Sequence, residues 1–510
     1  MTGGLGKTSR YLLAGASVIG ILAYGVPEAK AQDLKSIQSQ IDNLQATIKE
    51  LQKQVADAKA QAAAAQTAAA NTTGSDLDLK VKWKGAPEFS SADGKFKMKV
   101  RGRLEADYNA INQDQSITGR PDVSAAEIRR ARLGIEGVVW ADVKYIVEVD
   151  FANDAPALKD AYAEYTGLAD GLSLRAGNFK TPNSLEEMTS ANYLTFMERP
   201  AFVEAWGLDR QIGAGVIYNQ EHYTLSAGVF GPTPFADEVW LEDVKTGAAR
   251  LTVAPINREV NGVNQVVHLG ASWRGREGAE DLRNPSSAQG GSAGTLNPFN
   301  DQFFRYRARG ADLHLADRFV STPQIFNQDT FWGVEGAVVL GPWHVSGEYT
   351  QLEAEVASGF LGSDPTYTGW YVETGWFLTG ETKPYKDGVF QRVKVKDPVV
   401  WSKGGGWGAW QIAGRYDVLD LTDKALALQG NPAIVTPPLS ASSLNCVNCG
   451  EQKTWQIGVN WYLNDYTRVF FNYGESDIDG GPLLLASGAS ANNNDGANIN
   501  GFGTRVHVDW

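Results

Sequence analysis

The sequence predicts an all-β fold: a transmembrane antiparallel β-barrel of about sixteen strands, preceded by an α-helical coiled coil. Three observations predict it. Apolar and polar residues alternate over stretches of ten residues or more from Phe96 to the chain end. Soluble strands usually run five or six residues, whereas a tilted membrane strand with lipid on one face and water on the other needs more. Tight turns and long loops take turns between these stretches, as they do in outer-membrane barrels. Gly 55, Trp 15, Tyr 18 and Phe 20 stand beside only 4 Met and 5 His in 510 residues, a balance that suits closed sheets with aromatic girdles. No internal apolar run approaches the roughly 18 residues a membrane helix needs. The formal charge of −13 argues against nucleic acid as the main partner.

Taken in order, residues 1–31 read as a secretory signal peptide. Lys7 and Arg10 precede an apolar run from Tyr11 to Tyr24, and Ala29-Lys30-Ala31 supplies a cleavage signal before Gln32. Removing Lys7, Arg10, Lys30 and Glu28 takes away two net positive charges and leaves −15. Residues 32–70 carry the a/d seam of a heptad: Leu34, Ile37, Ile41, Leu44, Ile48, Leu51, Val55, Ala58, Ala62, Ala65 and Ala69, spaced alternately by three and four. So narrow a seam predicts self-association through a coiled coil. Asn71-Thr72-Thr73-Gly74-Ser75-Asp76 breaks the helix and opens a linker over 71–94.

The barrel is expected over 95–510. Phe96, Met98, Val100, Leu104, Ala106 and Tyr108 share one parity; Lys97, Lys99, Arg101, Arg103, Glu105 and Asp107 share the other. The pattern returns near 130–139 and 144–151, then in 158–166, 172–180, 211–219, 222–231, 247–254, 265–274, 330–340, 343–354, 366–379, 407–419, 453–463, 466–477 and 501–510. Ala141-Asp142, Gly341-Pro342 and Asn464-Asp465 are tight turns, and their parity places the strand-like stretch 303–315 within a long loop. The same parity makes 380–406 an unusually long connection on the short-turn side, with Lys383, Lys386, Arg392, Lys394 and Lys396 as a basic tract. That tract reads equally as an anion-attracting mouth and as a solvated surface. A terminal alternating strand closed by Trp510 resembles the assembly signal of outer-membrane proteins.

Catalytic and metal readings fail on context. Gly290-Gly291-Ser292-Ala293-Gly294 has no strand before it or helix after it, and Gly404 to Ala409 lies in no βαβ unit. The five histidines are scattered without metal spacing. No cofactor and no enzymatic activity are therefore expected. Cys446 and Cys449, in a long loop of an exported chain, read as a local disulfide.

Several runs then resemble one family. They are Arg101 to Tyr108, Arg129-Arg130-Ala131-Arg132 to Gly137, Lys159 to Tyr162, Tyr165 to Gly167, Phe179-Lys180 and Phe196 to Arg199. Trp332 to Ala337, Leu378 to Glu381 and Gly458 to Tyr462 follow in the same order. Together they resemble the phosphate-selective porin O and P family over about 80–510. The resemblance implies a trimeric sixteen-stranded porin in the outer membrane of a Gram-negative bacterium, surrounded by lipid and passing small anions, phosphate among them, by passive diffusion. It implies lumen-lining arginines at Arg103 and Arg130 with Arg132 beside them, a third-loop arginine at Arg199 near Lys180, and a fifth-loop cluster at Arg305, Arg307 and Arg309. Parity independently aims Arg103 and Arg130 at the polar face, and alternation would aim the three loop arginines one way. Where the family carries a third-loop lysine, this chain has Glu187, preceded by Glu186. Two carboxylates at a constriction repel an anion unless Arg199 or Lys180 neutralises them, so the sequence predicts weaker selectivity than the family name implies. The alternative is a structural anchor whose periplasmic coiled coil grips the cell wall, with the barrel plugged.

Overall fold

A computed structural model describes residues 39, 42–43, 45–57, 59–60 and 79–510, apart from 84, 153–154, 232–244, 262, 279–303, 358–362, 401, 403, 424–447 and 482–495. The signal-peptide reading lies outside the described residues. So do Cys446 and residues 71–78 of the linker. The chain divides into two units, Met1–Asp78 and Leu79–Trp510. In the first, every described residue is helical, and Ile48, Leu51 and Val55 of the seam are exposed on the single chain.

The second unit begins with a hairpin, β1 (Lys80–Trp83) and β2 (Pro87–Ser90). The barrel wall then opens with β3 (Lys97–Asn112), β4 (Val123–Val139), β5 (Val143–Asp150), β6 (Ala157–Ala169), β7 (Leu172–Lys180) and β8 (Arg210–Asn219). It continues through β9 (Tyr223–Phe230), β10 (Lys245–Val260) and β11 (Val263–Glu277). A small loop sheet, β12 (Arg307–Arg309) with β13 (Arg318–Ser321), stands apart from the wall. The wall resumes with β14 (Phe326–Leu340), β15 (Trp343–Val356) and β16 (Thr366–Phe377). A two-residue hairpin, β17 (Tyr385–Lys386) and β18 (Val389–Phe390), interrupts it before β19 (Ala409–Thr422), β20 (Asn448–Asn464), β21 (Thr467–Asp479) and β22 (Ala497–Asp509).

Neighbours along the wall pair antiparallel, and β22 pairs back onto β3 from Asn500↔Asn112 to Asp509↔Arg103. That pairing closes sixteen strands into a barrel, which leaves no sheet edge in the bilayer. Closure is finished by Trp510, which exchanges backbone hydrogen bonds with Gly102 (3.2 and 3.1 Å). Its indole fills the space a Cβ at Gly102 would need, so a glycine is required there.

The alternation has its expected outcome. Leu104, Leu133, Val147, Leu174, Leu251, Trp273, Val334, Val372, Ile457 and Val506 are exposed on the outer face, and Arg103, Glu105, Asp107, Glu348, Arg415 and Asn460 are buried inside. An apolar face toward lipid and a polar one toward the lumen is the membrane-barrel solution.

Two long loops turn inward. Residues 181–209 form one, with helical turns at Leu185–Met188 and Ala201–Ala205. The 304–325 stretch forms the other: as expected it is no wall strand, and only β12 and β13 pair within it. Phe202 and Trp206 of the first loop and Tyr306 and Phe319 of the second share one apolar cluster with Phe331, Tyr367 and Tyr371 of the wall.

The long connection 378–408 also turns inward, from the opposite rim. Lys383 donates to Thr195 Oγ1 (2.7 Å) and pairs with Glu373 (3.4 Å). Tyr385 Oη and His268 Nδ1 share a hydrogen bond (2.7 Å), and Arg250 Nη2 donates to the Gly388 carbonyl (2.8 Å). Arg392 pairs with Asp509. This segment therefore reaches wall strands from β10 to β22. Neither sequence reading of the basic tract anticipates this. Lys386, Lys394 and Lys396 remain exposed, the first two each beside an aspartate. Burying Lys383 is tolerable because hydroxyl and carboxylate acceptors meet its ammonium.

Candidate functional site

The inward loop 181–209 is fixed first by local chemistry. Ser184 caps the turn that follows, its Oγ accepting from the Glu187 amide (3.1 Å). The amides of Leu185 (3.1 Å) and Glu186 (2.8 Å) and the Ser184 hydroxyl (3.1 Å) all donate to the Glu348 carboxylate on β15. A carboxylate buried in the wall thus takes the free amides at the start of the turn.

Glu187 is neutralised on both sides, by Lys180 Nζ (3.3 Å) and Arg199 Nε (3.0 Å). Arg199 also donates to the carbonyls of Glu186, Glu187 and Thr189 (3.0–3.2 Å). It lines the lumen cavity, but its donors hold the loop. Glu186 does not line that cavity. It lies buried with one carboxylate oxygen unpartnered, and burial, then the nearby Glu373, pushes its carboxyl up to about 7.

Between this loop and the wall β3–β8 lies a cavity of about 450 Å³. Among the described residues, eleven arginines and lysines line it against eight carboxylates. Arg103, Arg130, Arg132, Lys180, Arg199 and Arg309, all named from the sequence, are among the cations. Arg132 is bound by Asp150 (2.8 Å) and Glu148 (3.1 Å), and Arg130 by Glu105 (2.5 Å) and Glu198 (3.6 Å). Arg103 differs. Its closest carboxylate contact is 3.8 Å, to Glu105, and its buried Nε and Nη1 find no hydrogen-bond partner. Lys159 also lines the cavity and makes no ion pair among the described residues. Unpaired donors in a confined basic space are what a partly dehydrated anion requires.

The fifth-loop cluster is divided. Arg309 reaches the lumen cavity; Arg305 and Arg307 line a second, outer cavity of about 440 Å³ with Arg276 and Arg318. A register shift between Ala308 and Arg309 turns the chain at that point, so simple alternation does not carry through.

The model for phosphate-selective porin O and P matches residues 98–480. The chain belongs to this family. It is an outer-membrane porin, a barrel channel for small anions. Porin O of Pseudomonas aeruginosa is 27% identical over 455 residues, covering 86% of this chain and 94% of its own. An uncharacterized protein of Caulobacter vibrioides is 28% identical over 526 residues, covering 98% and 95%. Among solved structures, an anion-selective porin from Comamonas acidovorans superposes with a TM-score of 0.46 at 9% identity, over 81% of this chain and all of its own. The channel DcaP of Acinetobacter baumannii gives 0.45 at 12%, over 83% and 99%.

Sequence reasoning about this porin missed Arg129, Lys159, Arg175, Arg210 and Arg318 as lining residues. Arg129 escapes alternation for an identifiable reason. A bulge in β4 opposite Glu105 and Ala106 puts Arg129 and Arg130 on the same side; Arg129 meets Glu198 at 2.8 Å. The triplet Arg129-Arg130-Ala131-Arg132 holds more arginines than one face can take, and that was the available signal. Glu198 collects Arg129, Arg130 and Arg505, and, although burial opposes it, these guanidiniums hold its carboxyl well below the usual range. Cys449 is in a disulfide; its sequence-predicted partner Cys446 lies outside the described residues.

Proposed function

We propose that this porin passes small oxyanions and halides along the β3–β8 side of the lumen with weak selectivity, phosphate being admitted rather than tightly held. One observation carries the reading: the Arg103 guanidinium has two buried, unpartnered donors in a cavity where cations outnumber carboxylates. An anion entering this space gives up water and gains guanidinium donors. Most neighbouring arginines are already matched by a carboxylate, so each station is shallow, and shallow successive sites let an ion leave as well as enter. Glu187, held by Lys180 and Arg199, adds little field of its own. Arg103, Arg130, Arg132 and Lys159 form the inner stations, and Arg305, Arg307 and Arg309 the outer approach. No step requires a cofactor or a catalytic group. Assembly as a homotrimer, with residues 32–70 as a coiled coil, belongs to the same proposal, supported by the exposure of the seam residues Ile48, Leu51 and Val55.

The test is a planar bilayer with the processed chain in a KCl gradient. Reversal potential should show chloride preferred over potassium, with partial inhibition by millimolar phosphate. Cation preference would overturn the reading, and absence of conductance would favour an anchoring role.

A further inference from the structure

The outer and lumen cavities meet at one side chain. Glu204, on the helical turn Ala201–Ala205, lines both. Among the described residues it is the sole carboxylate lining the outer cavity, where Arg276, Arg305, Arg307 and Arg318 gather. Its Oε1 accepts from Arg309 Nη1 and from Arg318 Nε (3.0 Å) and Nη2 (2.7 Å). Its Oε2 accepts weakly from the Arg309 amide (3.3 Å). Arg309 faces the lumen and Arg318 the outer cavity. One carboxylate therefore occupies one guanidinium from each cavity.

Burial separates this group from most of the lumen acids, Asp209 at 61% exposed excepted. Glu105, Glu148 and Glu187 have side chains at most 4% exposed, whereas the Glu204 side chain is 32% exposed. A buried pair resists opening because its charges would be left unsolvated. A pair this open to water is weak and exchangeable. Both Arg309 and Arg318 have forks suited to a tetrahedral oxyanion as well as to a carboxylate.

We propose that Glu204 is a specificity-determining residue, a tethered competitor that occupies Arg309 and Arg318 between permeation events and keeps their anion site shallow. A passing phosphate or chloride takes the guanidinium donors while the carboxylate swings into water, and the carboxylate's return helps expel the ion. No bond is made or broken. The inference rests on the anion path above, but its test does not depend on the sign of the parent's selectivity.

Glu204→Gln removes the competing charge at nearly constant shape. Measured by reversal potential in a KCl gradient and by inhibition of chloride current with inorganic phosphate, it should shift selectivity toward anions and tighten phosphate block several-fold, with slower relief of block. Glu204→Asp keeps the charge and should stay near the parent. Heat-modifiable migration checks that each barrel is folded. An unchanged reversal potential and phosphate block in a folded Glu204→Gln barrel would overturn the proposal. Should that variant fail to assemble, Arg318→Gln decides instead: it leaves Glu204 in surplus at the junction, so anion preference should fall, and no change would overturn the proposal equally. Parent selectivity tests the path; the difference between parent and variant tests Glu204.

Discussion

The two sides of this barrel start from the same strand pattern and end differently. Along β3–β8, inward arginines and lysines face open volume, and one of them, Arg103, keeps unpaired donors. Along β14–β22, inward polar groups are taken up by the segments folded into the lumen. Arg415 has the same parity and the same guanidinium as Arg103, yet Asp312 (2.8 Å) and the Glu198 carbonyl (3.0 Å) occupy it. Gln456 donates to the Ala311 carbonyl (2.9 Å) and Asn460 to that of Thr195 (2.8 Å). An inward arginine is thus a pore residue or a structural one according to what the loops bring to it. Facing the lumen does not by itself make a permeation site.

The largest test of this contrast removes the inward connection. Replacing 382–396 with a short Gly-Ser turn takes away Lys383, Tyr385, Phe390 and Arg392, which fasten the segment to Glu373, His268 and Asp509. If packed segments are what close the β14–β22 side, single-channel conductance should rise several-fold and selectivity should fall. Unchanged conductance would mean that side is closed by the outer loops alone.

A paired comparison of arginines comes next. Arg415→Gln leaves Asp312 and Asp417 uncompensated in the interior, at a cost of about 3 kcal/mol, so the unfolding temperature in detergent should drop while selectivity stays. Arg103→Gln removes a guanidinium with no hydrogen-bond partner at Nε or Nη1; stability should hold and anion preference should decline. The reverse pattern would break the distinction between the two sides.

Glu187→Gln frees Lys180 and Arg199 from their shared carboxylate. Phosphate inhibition should tighten by up to about tenfold, equivalent to ~1.4 kcal/mol, in the same bilayer assay. A result within error of the parent would show that those cations serve the loop alone.

The smallest expected effect is a pH dependence. Burial, then Glu373, lifts the Glu186 carboxyl to about 7 from an ordinary 4.5. A carboxyl raised on folding supports the folded state below its ordinary value and loses that support as pH rises through about 7. Thermal stability should therefore fall modestly from about pH 5 to about pH 8, and Glu186→Gln should flatten the slope. An equal slope in the variant would assign the dependence to other groups.

Much of this architecture was legible because a membrane wall imposes strict alternation. The β3 and β22 patterns, the turn at Gly341-Pro342 and the loop placement of 303–315 follow from a two-residue period and turn parity. Arg103, Arg130 and Arg132 were legible for the same reason. Arg129 was not, since a bulge adds a residue without a clear sequence mark. The inward course of 378–408 was invisible too: its lysines look solvated until Thr195 and Glu373 are seen to receive one of them.

The sequence by itself determined the wall: strand number, facing and the two families of connections, because lipid admits no unpaired backbone and no polar outer face. Only the tertiary structure decided which lumen charges remain open to an ion. Charge availability depends on contacts between residues far apart in the chain, such as Arg309 with Glu204, Arg415 with Asp312, and Glu187 with Arg199. Those contacts form where loops of irregular path meet a regular wall, and no period in the sequence encodes such a path.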